Sequence, residues 1–211
     1  MRASVNVEIQ KLKSGLETAV DDAERGNIHS QIADIYSDKG DTASALASAG
    51  DAVKYQPNDY MARYLLGKSY IEAGRYDEAI TELNLSISYN SRFAPAHFEL
   101  GNARYKKYMF PAAMSHYREA IRLDPEHLRA YNNLGVLLSA AGNLKEAEKS
   151  FKKMIEIDPA FAVAYKNLGI LYDTRLKNKE QAAFHYKKFL ELAPDSPDRR
   201  LVSAWLQAAG G

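Results

Sequence analysis

A period of 34 residues constrains this chain more than any other feature. Registered on the small residue that closes "NLG" in the fourth copy, the series Ala33, Gly67, Gly101, Gly135 and Gly169 falls on every step. The residue before each is apolar: Ile32, Leu66, Leu100, Leu134 and Leu168. Twelve residues after the first four small positions stand Ala45, Ala79, Ala113 and Ala147, and Ala182 serves the fifth after a one-residue insertion. Pro57, Pro125, Pro159 and Pro194 close four of the units, and Ser91 stands in the other. Self-similarity at a period of about 20 to 50 residues marks a stack of small units rather than one globular core.

Each unit reads as two helices. In "AYNNLGVLLSAAG" the apolar residues Tyr131, Leu134, Leu138 and Ala141 recur at three or four residue spacing, and Gly142-Asn143 stops the run. In "LKEAEKSFKKMIEIDP" Leu144, Ala147, Phe151, Met154 and Ile157 repeat the pattern before Asp158-Pro159 ends it. The Gly or Ala of the first helix is expected to face the Ala of the second, so that two antiparallel backbones approach closely. A hairpin of this size cannot bury its apolar faces alone, so the five must stack.

A 34-residue helix-turn-helix unit with these residues resembles the tetratricopeptide repeat family. The resemblance covers residues 26–196 as repeats 26–59, 60–93, 94–127, 128–161 and 162–196. It implies an all-α, right-handed superhelical solenoid of antiparallel helix pairs. Departures are local: Arg104 stands for the usual aromatic or large apolar residue, and Tyr108 and Met109 replace the usual turn Gly and its polar neighbour. A different turn, or an exposed Tyr108, is expected there.

The ends read as caps. Residues 1–25 carry an apolar stripe, Val5, Ile9, Leu12, Leu16, Val20 and Ala23, on one expected helix out of register with the repeats. Residues 197–211 form a C-terminal capping helix, with Ser196 as N-cap, Pro197 at its first position, and Leu201, Trp205 and Leu206 toward the last repeat.

Composition removes several classes of function. Net charge is +1, with 28 basic and 27 acidic residues, so no global field points to nucleic acid. The charge is uneven: residues 1–93 hold 10 basic and 14 acidic side chains and the rest hold 18 and 13. Without cysteine there are no disulfides, thiolate nucleophiles or Cys-ligated zinc. No segment approaches the roughly 20 apolar residues of a membrane span, so membrane insertion is not expected. The expected compartment is the cytoplasm, or the periplasm if a leader has been removed. The five histidines form no H-E-x-x-H pair, and His116 and Glu119, three apart on a predicted helix, would hold a metal only with further ligands. No phosphate-cradling loop or nucleophile-base set is present, so neither enzyme activity nor a cofactor is expected.

The family resemblance implies that the first helices line a concave groove that takes an extended peptide or a short helix of another protein. Ligand-facing positions would lie six, three and two residues before the small residue and one, four and five after it. They nominate Tyr64, Leu65, Lys68, Phe98, Asn102, Tyr105, Lys106, Arg129, Asn133, Lys166 and Asn167. Tyr64, Leu65, Phe98 and Tyr105 offer apolar area beside Lys68 and Lys106. Asn102, Asn133 and Asn167 each offer a donor and an acceptor to a peptide backbone. The terminal-carboxylate clamp of chaperone-binding members is not expected, because Phe98, Val163 and Asn167 stand where its cations belong. The expected function is a non-catalytic interaction scaffold that helps assemble a complex. The alternative is a self-assembling structural protein that builds a homo-oligomeric coat or filament.

Overall fold

The computed structural model describes residues 2–210, in which helices are formed and no strand. One compact unit ends at Leu123 and a second begins at Asp124. The first holds α1 (Arg2–Thr18), α2 (Asp22–Asp38), α3 (Thr42–Tyr55), α4 (Tyr60–Glu72), α5 (Tyr76–Tyr89), α6 (Ala94–Lys106) and α7 (Phe110–Leu123). The second holds α8 (Leu128–Ala140), α9 (Leu144–Ile157), α10 (Ala162–Thr174), α11 (Lys179–Leu192) and α12 (Arg199–Ala208). Within the units, α2 pairs with α3, α4 with α5, α6 with α7, α8 with α9, and α10 with α11. The fold is the all-α helical-repeat solenoid class.

At Gly67 the expected approach to the Ala of the second helix is present, with the Ala79 carbonyl oxygen 3.4 Å from an added Cβ, but the nearest neighbour of the small residue is a large side chain. A Cβ added to Gly67 would lie 2.7 Å from Leu83 Cγ, one on Gly101 2.6 Å from Tyr117 Cε1, and one on Gly135 2.5 Å from Phe151 Cε1. Gly169 stands in the same relation to the ring of Tyr186. The small residue therefore makes room for a large side chain sixteen or seventeen positions later. Ala33 already carries a Cβ, and its counterpart in the same buried cluster is Ala49. The Ala series beginning at Ala45 is fully buried in all five hairpins, which keeps the second helix close.

The first helices end in the left-handed turns that glycine favours, at Gly40 (φ 71°), Gly74 (φ 73°) and Gly142 (φ 85°). Tyr108 takes the same turn with φ 59°, so the substitution leaves the backbone path unchanged and exposes the ring. After α10 the inserted residue shifts this conformation to Lys177, φ 55°.

Both caps are shorter than expected. Helix α1 stops at Thr18 because Asp21 accepts the Glu24 N–H at 2.7 Å while Glu24 accepts the Val20 N–H at 2.9 Å, a reciprocal bonding that starts α2. Val20 is consequently 85% exposed and Ala23 faces solvent on α2, while Leu12, Leu16 and Ala19 pack on Ile28 and Ile32. At the other end Pro197 precedes the helix. Asp198 is the N-cap residue, and Ser196 Oγ accepts the Asp198 N–H at 3.2 Å. Val202, not Leu201, is the residue of α12 that is fully buried.

Candidate peptide-binding surface

In the first unit the nominated residues divide by burial. Leu65 (5% exposed) and Phe98 (3%) belong to the interior, which corrects their assignment to a ligand-facing surface. Leu65 packs with Ala33, Ala49 and Leu66, and the Phe98 ring lies 5.8 Å from that of Tyr117. Leu65 thus packs against the preceding hairpin and Phe98 within its own, and apolar side chains gain most by staying buried there. Tyr64 is half-buried, edge-on to Phe93 at 5.1 Å. Lys68 reaches Asp34 of the preceding repeat at 3.6 Å. Asn102 donates to Glu99 Oε2 at 2.9 Å and accepts from Tyr117 Oη at 2.9 Å, so part of its hydrogen-bonding capacity fixes the hairpin.

Surface remains where α6 turns into α7. Tyr105, Tyr108, Met109 and Phe110 are all exposed, Tyr108 by 81%. The Phe110 ring lies 5.7 Å from that of Tyr105 and meets Tyr108 edge-on at 6.1 Å. Lys106 and Lys107 flank this cluster, and the Lys107 ammonium pairs with Asp77. Lys106 forms no ion pair among the described residues. Sequence reading nominated Tyr105 and Lys106. The exposed Tyr108 is the outcome expected at this turn, whereas Phe110 is absent from the nominated set and owes its exposure to the turn.

In the second unit the asparagines form a ladder. Asn167 donates to Asn132 Oδ1 at 2.7 Å, and Asn132 donates to Asn133 Oδ1 at 3.0 Å. Asn132, absent from the nominated set, is its middle member. Val136 and Arg129 are exposed on the same helix. Lys166 is held by Asp198 at 2.5 Å, with its ammonium 5.8 Å above the Phe189 ring, and so serves to dock the segment that begins α12. Asp173 accepts from Tyr186 Oη at 3.4 Å, and burial together with that carboxylate raises the Tyr186 pKa. A buried imidazole lies nearby: His185 stacks on Tyr172 at 5.4 Å and its pKa falls to about 4, first through burial and then through Lys152, with Glu148 opposing.

No helix of the described residues is long and apolar enough to cross a membrane. Tetratricopeptide repeat family models match residues 31–96, 94–127, 128–161 and 162–196, which together span most of the chain. The chain belongs to the tetratricopeptide repeat family. As a tetratricopeptide repeat protein it is 27% identical to BBSome complex member bbs-4 of Caenorhabditis elegans over 101 residues, 48% of this chain and 22% of that protein. It is 33% identical to the Hsp70-Hsp90 organizing protein of Triticum aestivum over 76 residues, 34% of this chain and 13% of that protein. The chain thus spans less than a quarter of either curated relative. A crystal structure of MamA superposes with a TM-score of 0.69 at 29% identity, covering 81% of this chain and 93% of MamA.

Proposed function

We propose that this tetratricopeptide repeat protein is a non-catalytic scaffold that binds an extended peptide or short helix of another protein and so helps assemble a complex. Tetratricopeptide repeat proteins bind other proteins, and the observation that carries the peptide reading is the α6–α7 turn. Tyr105, Tyr108 and Phe110 leave an apolar aromatic cluster in solvent beside Lys106, which forms no ion pair among the described residues. Buried aromatic anchors supply most of the binding energy in peptide complexes, and an adjacent cation selects a ligand with a carboxylate near its apolar residue.

The test is a random-peptide display selection on the purified chain, followed by fluorescence-anisotropy titration of the selected peptides. Tyr105→Ser and Lys106→Glu, both at exposed positions, are expected to weaken them by about tenfold or more. Equal binding by the variants overturns this location. If no peptide is selected and the mass from light scattering rises with concentration, self-assembly replaces the reading.

A further inference from the structure

At the α6–α7 turn the third repeat departs from its neighbours, and the departure is aromatic. Gly40, Gly74 and Gly142 take the left-handed conformation at the corresponding turns, whereas Tyr108 takes it with a side chain. The Tyr108 ring is 81% exposed, so packing within the hairpin does not offset that strain. A costly conformation that holds a large ring in solvent points to a use outside the fold.

The geometry of the cluster narrows what it can take. The Phe110 ring is inclined 55° to that of Tyr105 and 90° to that of Tyr108, so the three line an angled surface and do not cover one another in a stack. The cluster runs only from Tyr105 in α6 to Phe110 at the start of α7, and therefore covers a short stretch of any ligand. Neither the Tyr105 nor the Tyr108 hydroxyl is hydrogen-bonded among the described residues, and the Lys106 ammonium beside them can only donate.

A flexible segment loses backbone entropy at every residue that docking fixes, and a short contact offsets little of that loss. A proline-rich segment is already extended in the polyproline II conformation and loses less. Its backbone offers carbonyl oxygens and, at each proline, no N–H, which suits phenols and an ammonium that donate. Proline-rich segments also dock on aromatic-lined surfaces, where their rings pack against the aromatic side chains. Aromatic rings attract cations as well, but Lys106, which forms no ion pair among the described residues, opposes a cationic ligand and favours a carboxylate.

We propose, resting on the peptide-binding reading above, that the α6–α7 turn takes a proline-rich segment of another protein, extended as a polyproline II helix and carrying an acidic residue beside its prolines. Tyr105, Tyr108 and Phe110 receive the prolines, the two phenols donate to the segment's carbonyl oxygens, and Lys106 pairs with its carboxylate.

The test reads the composition of the peptides that display selection on the full chain recovers. Enrichment in proline and in Asp or Glu over the starting library is expected. In a selected peptide, alanine in place of the prolines, or lysine in place of the acidic residue, should weaken binding by about tenfold or more in fluorescence anisotropy. Tyr108→Asn, which suits the left-handed turn and removes the ring, should weaken the parent peptide by a similar factor, as should Phe110→Ser. Circular dichroism checks that each variant is folded, and Tyr108→Asn decides the matter if Phe110→Ser does not fold. Selected peptides without proline enrichment, or equal binding of the proline and alanine forms, overturn the proline-rich ligand and leave the peptide surface standing. Equal binding of the lysine form overturns the carboxylate. Proline-rich peptides that bind the folded variants as tightly as the parent chain overturn the location, and a selection that recovers no peptide overturns both readings.

Discussion

The ring of Tyr117 occupies the space that a side chain on Gly101 would need, with Cε1 2.6 Å from the position of a Cβ. Neither residue is independent of the other. Gly101→Ala gains helix propensity of about 1 kcal/mol but forces a buried ring aside, which typically costs about 1–3 kcal/mol. A net loss is expected in denaturant titration. In a Tyr117→Ala background the same change should be neutral or stabilising, because that pair is what Ala33 and Ala49 already form in the first hairpin. Additive effects of the two changes would contradict the pairing.

Tyr108 carries a left-handed backbone conformation, φ 59°, that disfavours a side chain by about 1–2 kcal/mol. Tyr108→Gly should raise the unfolding free energy by about 1 kcal/mol, read as a higher denaturation midpoint, since the exposed ring gives up little packing. The same variant should bind selected peptides more weakly. A stabilised chain with poorer binding would show that the aromatic is kept for contact and not for the turn.

Acid should weaken the second unit through His185. Its pKa of about 4 in the fold lies below the ordinary 6.5, so between those values the unfolded chain binds more protons and stability rises with pH. The contribution is present above about pH 6.5 and is lost as the pH falls toward 4. His185 Nδ1 also lacks a hydrogen-bond partner among the described residues. His185→Phe should therefore melt higher at pH 5 than the parent and show a shallower decline between pH 7 and 5. An unchanged pH slope would place the acid sensitivity elsewhere.

Besides the buried Val202, two contacts hold the C-terminal helix, Trp205 against Tyr186 at 5.7 Å and Asp198 to Lys166 at 2.5 Å. Trp205→Ala should cost about 2 kcal/mol, less than the roughly 3–5 kcal/mol of a fully buried indole. Hydrogen exchange should speed up across residues 199–208 and in the part of α11 around Tyr186. Lys166→Met should reproduce a fraction of this effect. Unchanged exchange in the helix would mean that Val202 alone holds it.

Helices, turns and repeat registration were legible in the sequence because each is written in local spacing: Leu134 and Leu138 on one face, Gly142 at the turn, Ala147 on the next helix. The candidate surface was legible only in part. Tyr105 and Lys106 follow from their register, yet Leu65 and Phe98, at other nominated positions of the repeat, are buried. Position in the repeat says which way a side chain leaves its helix, whereas exposure depends on what the next hairpin places against it.

The sequence by itself determined that this protein is built of five helical hairpins, since each hairpin is written in a local recurrence of small and apolar residues. The tertiary structure decided the partners that lie far apart in the chain: Gly101 with Tyr117, Lys68 with Asp34, Asn167 with Asn132. The reason is physical. Helical periodicity is a property of neighbours along the chain, while shape fit, ion pairs and shared protons depend on distances that exist only after the hairpins have closed and stacked.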